Sequence, residues 1–201
     1  MVDRIIQDIK GALANNLYFA ALICALTLPD ICGKAEYSTE RSSKKRYIDW
    51  YDKEIGCYEK NPEQNNSEEM PYLSGEVMYS LRCAMLHAGE PNINGDSVKN
   101  KPDIDKFSLV VNKAQPIDIC SDSSSIMDFG DEHIRSYRMS IRRICHIMCA
   151  AAEKYYRDNK NKFHFDYEII DWDEVTSKLP PLDKESIFKE LANPELGKEK
   201  P

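Results

Sequence analysis

The most informative residues of this chain are an arginine and a histidine that share one predicted helix. Four residues separate Arg82 from His87. Arginine keeps its positive charge at physiological pH and binds phosphate through paired hydrogen bonds, whereas histidine gains or loses a proton near neutrality. Metal-free cleavage of RNA needs these two kinds of group. Because so short a pattern also arises by chance, its meaning depends on the elements that carry it.

The helix predicted over residues 72–88 positions this pair. Apolar residues recur along it at spacings of three and four, and Gly89 and Pro91 end it. On a regular α-helix, positions 82 and 87 lie roughly 140° apart around the axis and about 7.5 Å apart along it. A histidine in the last turn lies near unpaired carbonyl groups, which favour its protonated form. The arginine and this imidazole can therefore converge on one phosphate.

Further helices and short strands complete the predicted fold. Apolar periodicity predicts helices over 2–28, 44–60, 131–158 and 184–191, and strands over 107–111, 117–119 and 167–170. The expected class is all-α, an antiparallel bundle of four to five helices with a small β-hairpin insertion at about 105–120. Residues 1–160 would form this bundle. Residues 161–201 would form an acidic C-terminal extension that packs on the bundle at its start and is flexible at its end.

The segment 82–87, with the sequence RCAMLH on the third long helix, resembles the signature of HEPN domains (higher eukaryotes and prokaryotes nucleotide-binding). The first helix is similar to the small-residue-rich first helix of that family and has Asp30 near its end. The resemblance covers about residues 1–160. It departs from the family at Cys83, because active members usually have Asn, Asp or His directly after the arginine.

The resemblance implies a metal-independent endoribonuclease that uses no cofactor, as in toxin–antitoxin and phage-defence systems. Two protomers of a homodimer would line one cleft, and an antitoxin protein would be a further partner. The 2′-hydroxyl of RNA would attack the adjacent phosphorus, with Arg82 stabilising the charged phosphorane and His87 moving the proton. Asp30 would orient either cation. The alternatives are a non-catalytic module of the same fold that binds a nucleotide, RNA or a protein, and a structural role in dimerisation.

Structural explanations of the same residues stay open. Arg82 would pair with a carboxylate such as Asp30 or Asp52, and the histidine would only cap carbonyl groups. A second match, Arg157 and His164, has six residues between its members. It lies in a polar stretch where the last long helix ends, which is a poor frame for acid–base geometry.

Three arginines of the helix predicted over 131–158 form a candidate nucleic-acid surface. They follow one another at spacings of three and four, and they are Arg135, Arg138 and Arg142. Such a basic face is usually only solvated. If this helix packs beside the one that carries Arg82, the same face would be a track for RNA phosphates.

Residues 44–46, a run of two lysines and an arginine, are a weaker nucleic-acid candidate. The aromatic residues that follow could stack on bases. Their helical spacing instead favours a place in the core. They are Tyr47, Trp50 and Tyr51.

The bulk composition narrows the class of protein. A net charge of −7 argues against a chain coated in nucleic acid, although residues 161–201 hold six lysines against ten acidic residues and so account for −4 of it. Seven cysteines without paired spacing favour reduced thiols and a cytoplasmic location. The apolar segment 17–28 is too short to cross a bilayer and lacks the cationic flank of a signal peptide.

Metal and nucleotide chemistry find little support in the sequence. Cys145 and Cys149 lie four residues apart, but no second pair of ligands follows at zinc spacing. The chain also has no glycine-rich phosphate loop and no Gly-x-Ser-x-Gly motif. We therefore expect neither a metal site nor an NTPase, kinase or α/β hydrolase.

Overall fold

A computed structural model of the chain describes residues 1–59, 71–88, 104–111, 122–129, 132–164 and 170–178. The chain divides into two compact units, Met1–Phe163 and His164–Pro201. The helices of the first unit are α1 (Val2–Ala14), α2 (Tyr18–Ala25), α3 (Leu28–Glu36), α4 (Ser43–Tyr51), α5 (Cys57–Glu59), α6 (Gly75–Cys83) and α7 (Ile141–Asp158). Its strands are β1 (Lys106–Val110), β2 (Ser123–Phe129) and β3 (Glu132–Ser140). The second unit contains α8 (Trp172–Ser177).

The first 36 residues form three helices, so the prediction of one helix over 2–28 is wrong. Asn16 separates α1 from α2 with a φ of 58°, in the left-handed region that asparagine tolerates better than most residues. Pro29 lies in the first turn of α3, where its missing N–H group is not needed. Pro29 therefore lies at the beginning of a helix.

The segment Tyr18–Glu36, which contains α2 and α3, is apolar and long enough to count as a candidate membrane span, with a mean hydropathy of 1.3. Half of it is buried inside the fold, and Ala21, Leu22 and Ala25 have no exposed surface. The core helix of a soluble protein passes the same test. The segment is therefore only weak evidence for a membrane location.

The core of the first unit lies where α7 packs against α1, α2 and α3. Ile144, Met148 and Ala152 recur at a spacing of four along α7, and each is fully buried. On α4, the three aromatic side chains at positions 47, 50 and 51 are also fully buried. These aromatic residues therefore belong to the core, and their rings are not available to stack on bases.

Two helices continue into π-helical turns. The turn Asp52–Gly56 follows α4, and the turn Ala84–Ala88 follows α6. Each helix with its π turn covers most of the helix predicted for that region, over 44–60 and over 72–88. A π turn closes hydrogen bonds between residues five apart, is rare, and often occurs at functional sites. The second of these turns contains His87.

The strands form a three-stranded mixed sheet in the order β1-β3-β2, so the expected all-α bundle with a β-hairpin insertion at 105–120 is wrong. β1 pairs in parallel with β3, from Lys106 opposite Ser136 to Val110 opposite Ser140. β2 pairs antiparallel with β3. The strand predicted over 107–111 is found as β1, but the residues it pairs with on β3 lie 30 positions further along the chain. The fold class is mixed α/β.

Residues 132–140 are a strand, which corrects the helix predicted over 131–158. Tyr137 and Met139 are buried while Arg138 between them is exposed, and this alternation is typical of a strand. The helix begins only after Ser140, whose hydroxyl accepts a hydrogen bond from the backbone N–H of Arg143 at 3.3 Å. α7 therefore begins at Ile141, ten residues later than the helix predicted over 131–158.

Three smaller predictions fall wholly or mostly on residues outside the described ranges. The strand over 117–119 and the helix over 184–191 lie outside them completely. Of the strand over 167–170, only Ile170 is described, and it has no regular secondary structure. The helix α8 was not expected from the sequence.

Candidate functional site

Arg82 lies in the last turn of α6 and forms an ion pair with Asp30 in the first turn of α3. The Arg82 Nε atom donates to Asp30 Oδ2 at 2.9 Å. Helix α6 begins at Ser74, whose hydroxyl accepts from the backbone N–H of Val77 at 3.3 Å. About a quarter of each charged side chain is exposed, 23% for Arg82 and 25% for Asp30. The pair thus links α3 to α6, both of which pack against α4, at the border between core and solvent.

Asp30 is the partner of Arg82, since Asp52 has a different role. The backbone N–H of Gly75 donates to Asp52 Oδ1 at 2.6 Å, so this carboxylate binds the first N–H group of α6. Burial raises the pKa of Asp52, and the hydrogen bond from Gly75 partly opposes that shift. Of the two carboxylates proposed from the sequence, one orients the arginine and the other fixes the start of its helix.

Burial and pairing act in opposite directions on the Asp30–Arg82 pair. Burial raises the pKa of Asp30, and the positive charges of Arg82 and Arg46 lower it by a smaller amount. The carboxylate is therefore held at a desolvation cost. For Arg82, burial lowers the pKa but Asp30 outweighs it, and the net pKa is raised. The two shifts favour opposite states of the pair. Because a guanidinium stays charged in either case, Asp30 is the member of the pair whose charge can change.

Tyr79 and Lys44 complete the surface around Arg82, and neither was singled out with it in the sequence. The Arg82 guanidinium carbon and the Lys44 Nζ atom each lie 5.9 Å from the centroid of the Tyr79 ring. Lys44 also pairs with Glu76 at 3.0 Å. Tyr79 precedes Arg82 by three residues, so helical spacing alone could have indicated that they are neighbours.

Cys83 touches this cluster. Its side chain lies close enough to Tyr79 and Arg82 to raise the pKa of both groups. Burial raises the pKa of the Tyr79 hydroxyl, and the neighbouring Cys83 raises it further. The residue at which the chain departs from the usual HEPN pattern is therefore part of the site and is not a distant surface position.

His87 belongs to the π turn Ala84–Ala88 that continues α6. The 140° offset expected between positions 82 and 87 assumes a regular α-helix. It does not apply here, because a π turn rotates less per residue. The structure thus places both residues on one continuous helix and changes the angular relation between their backbone positions.

The three arginines of the predicted basic face lie on two elements, and the continuous helical stripe is not formed. Arg135 and Arg138 are on β3, where the Arg135 backbone N–H donates to Asp105 Oδ2 at 2.6 Å and the Arg138 side chain is exposed. Arg142 is on α7, where its guanidinium donates to the Tyr18 hydroxyl at 3.1 Å. The next arginine along α7, Arg143, forms ion pairs with the largely buried carboxylates of Glu59 and Asp122.

The competing match at Arg157 lies on the exposed end of α7. The Arg157 side chain is 70% exposed and pairs with its neighbour Asp158 at 3.4 Å. His164 belongs to the second unit of the chain. The Arg157 end of this match therefore has none of the packing that holds Arg82.

A second polar cluster, missed by the sequence argument, surrounds Glu36 at the end of α3. The carboxylate accepts from Lys53 at 2.8 Å, from the Tyr155 hydroxyl at 2.7 Å and from Lys162 at 2.6 Å. These side chains line a cavity of about 160 Å³. Because Glu36 already occupies both lysines, the cluster ties distant parts of the first unit together and is not a free anion site.

The described part of the chain contains no group of three or more His, Cys, Asp or Glu side chains placed to hold a metal ion. Cys145 and Cys149 are both buried on α7. Burial raises the pKa of Cys149 to about 11, as expected for a thiol that packs as a small apolar group.

No family model matches the chain, and neither the curated proteins nor the solved structures contain a significant match to it.

Proposed function

We propose that this protein is a metal-independent endoribonuclease of HEPN type, acting in the cytoplasm, with Arg82 as its phosphate-binding residue and His87 as its proton-transfer residue. The observation that supports the proposal is the position of Arg82. Asp30 fixes its guanidinium at the border of core and solvent, on the helix that continues into the turn containing His87. A cation held in this way in the free protein lies where a phosphate can reach it, on the same helix as His87.

The proposed reaction needs no metal. The 2′-hydroxyl of a ribose loses its proton and attacks the adjacent phosphorus, and the bond to the 5′-oxygen of the next nucleotide breaks. That oxygen takes up a proton, so the products are a 2′,3′-cyclic phosphate and a 5′-hydroxyl. Arg82 stabilises the negative phosphorane. In the free protein its Nε atom is bonded to Asp30. When the arginine turns to a phosphate, its guanidinium offers five N–H donors, two of which can bind the phosphate side by side.

One histidine cannot both accept and donate a proton within a single concerted step. A homodimer resolves this, because a second copy brings a second His87 to the same phosphate, one as base and one as acid. We therefore propose a homodimer as the active form. An inactivating antitoxin partner and a role in phage defence follow from the resemblance to the HEPN family and stay proposals at the same level.

The alternative is a non-catalytic module that binds RNA or a nucleotide through the same surface. Two observations favour it. Asp30 compensates the charge of Arg82, which weakens its attraction for phosphate, and the position after the arginine is occupied by Cys83. Both functions use Arg82, but only the enzyme requires His87.

The deciding experiment incubates purified protein with end-labelled single-stranded RNA in excess EDTA. Wild type is compared with Arg82→Ala and His87→Ala, and with Arg157→Ala and His164→Ala as matched controls from the competing match. The enzyme predicts cleavage in EDTA, cyclic-phosphate ends, loss of at least 100-fold in rate for the first two variants, and full activity in the controls.

The outcomes separate the two functions. Full activity of His87→Ala would refute the mechanism. If no variant cleaves but filter binding detects RNA that Arg82→Ala no longer holds, the binding module is the correct function. If wild type neither cleaves nor binds RNA, both proposals fail. Sedimentation of wild type at the concentration of the assay tests the homodimer separately.

A further inference from the structure

The Tyr47 side chain lies inside the protein, in the same cluster as Tyr79 and the Asp30–Arg82 pair. Tyr47 has no exposed surface, and its ring packs edge-on against Tyr79 with 5.4 Å between centroids. Tyr79 in turn contacts the Arg82 guanidinium. After burial, the charges of Asp30 and Arg82 act most strongly on the pKa of this hydroxyl: Asp30 raises it and Arg82 lowers it. A neutral donor is therefore buried within electrostatic range of a carboxylate that is already paired.

Among the residues that the structure describes, no group forms a hydrogen bond with the Tyr47 hydroxyl. Most buried hydroxyls in proteins have a partner, because an unpaired one carries the full cost of leaving water. An unpaired donor next to a carboxylate calls for an explanation, since an ionised carboxylate offers about four acceptor positions. The Arg82 Nε atom occupies one of those on Asp30.

The Asp30 carboxylate creates a difficulty for any ligand of Arg82. A phosphate can take the guanidinium fully only if the arginine turns away from Asp30. The carboxylate is about three-quarters buried, so it would lose its cation where water compensates poorly. A donor already in place lowers that cost, and Tyr47 is such a donor.

We propose that Tyr47 is a positioning residue of the Arg82 site, whose hydroxyl donates to Asp30 when Arg82 leaves that carboxylate to bind a phosphate group. Asp30 then holds the arginine in the free protein and is held by the tyrosine in the complex. The exchange itself is a property of these three residues. Its effect on RNA rests on the function proposed above.

The first test needs no ligand, because Arg82→Ala imitates the departure of the arginine. In the wild-type background, Tyr47→Phe should leave the melting temperature unchanged or raise it, since it removes an unpaired hydroxyl. In the Arg82→Ala background the same substitution should lower it by about 5 °C, because Asp30 then depends on the hydroxyl. Arg82→Met serves as a second background that keeps the apolar stem of the arginine.

Tyr51→Phe is the matched control for this cycle. Tyr51 lies one turn further along α4, is also fully buried, and has a hydroxyl without a described hydrogen-bond partner. The charge that acts most strongly on the pKa of its hydroxyl is that of Glu59, and Asp30 is not among the main causes. Its effect should be the same in both backgrounds. Equal effects of Tyr47→Phe in both backgrounds would overturn the proposal, as would a loss of stability in wild type, which would mean that the hydroxyl is bonded before Arg82 leaves.

The second test measures binding of a single-stranded RNA oligonucleotide at fixed salt. Tyr47→Phe should weaken binding about tenfold, whereas in the Asp30→Ala background it should change nothing, since there is no carboxylate to hold. A tenfold effect that persists without Asp30 would mean that Tyr47 contacts RNA directly, and the exchange would be refuted. If wild type binds no RNA, the proposed function fails while the stability cycle still decides the exchange.

Arg46 is the competing donor. Its charge also acts on Asp30, and its Nε atom is buried without a hydrogen-bond partner in the described ranges. Its Nη1 atom donates to the backbone carbonyl of Glu40, which holds the side chain in place. If Arg46 donates to Asp30 in place of Tyr47, Tyr47→Phe will have the same effect in the Arg82→Ala background as in wild type. That result would overturn the proposal.

Discussion

Replacing Glu36 by glutamine should destabilise the first unit in a way that depends on pH. Three donors converge on this carboxylate: the ammonium groups of Lys53 and Lys162 and the hydroxyl of Tyr155. They come from the first π turn, from α7 and from the segment after it. The substitution keeps the shape of the side chain, but it removes the charge and presents an amide N–H₂ to donors that need an acceptor.

The magnitude follows from the environment of the carboxylate. The hydrogen bonds from Lys162, Lys53 and Tyr155 lower the pKa of Glu36 from 4.5 to about 2. A shift of this size corresponds to about 3 kcal/mol for a fully buried group. The lysines are 39% and 51% exposed, however, and solvent screens their contribution. We therefore expect Glu36→Gln to lower the free energy of unfolding by about 1 to 2 kcal/mol at pH 7.

The pH dependence has a definite sign. The carboxylate is ionised more readily in the folded state, so its contribution is complete above the unfolded pKa near 4.5 and is lost as the pH falls towards about 2. Urea unfolding followed by circular dichroism should show a constant gap between wild type and Glu36→Gln from pH 6 to 8. The gap should shrink steadily between pH 4.5 and 2.5.

Glu153→Gln is the control for this prediction. Glu153 pairs with Lys10 at 3.7 Å, and both side chains are more than half exposed. Its replacement should change the free energy of unfolding by less than about 0.5 kcal/mol at any pH. An equal effect of both substitutions, or a Glu36→Gln gap that stays constant down to pH 2.5, would show that the reasoning about this cluster is wrong.

Two further predictions concern the packing of the first unit. Gly33→Ala should lower the free energy of unfolding in urea by about 1–3 kcal/mol, because its new Cβ would lie 2.6 Å from a backbone carbonyl oxygen of α4. Gly11→Ala is the control. Its Cβ would meet open space, so it should raise the free energy of unfolding by about 0.5–1 kcal/mol. Arg143→Ala should cost about 3–5 kcal/mol, because Glu59 at 2.7 Å and Asp122 at 2.9 Å, only 8% and 7% exposed, would lose their shared cation. A loss below about 1 kcal/mol would refute the second prediction.

The candidate site was predictable from the sequence because its signals are local. The helix that carries Arg82 has regular apolar spacing, and the structure contains it as α6 and the following turn. Asp30 was predicted as a partner of Arg82, and the ion pair is present. Tyr47 was assigned to the core by its spacing, which the structure confirms, but its hydroxyl beside Asp30 depends on how α3, α4 and α6 pack. No pattern within one helix contains that information.

The sheet was not predictable in the same way. Over residues 132–158, apolar residues fit a helical period well enough to hide nine residues of strand. Two local signals in the sequence favour a boundary: Ser140 as an N-cap, and the apolar–charged–apolar order of Tyr137, Arg138 and Met139. The parallel pairing of β1 with β3 has no local signal, since it joins residues about 30 apart. Misplacing this strand also produced the incorrect basic stripe.

The strand order has a consequence for how the chain is made. β3 is the central strand, so neither β1 nor β2 has its partner until residue 140 has been synthesised. α7, against which α1, α2 and α3 pack, comes later still. During synthesis the apolar faces of the N-terminal helices must therefore wait, uncovered, for the last third of the chain. A nascent chain stalled before residue 141 should bind holdase chaperones, whereas one released after residue 163 has every described element of its first unit.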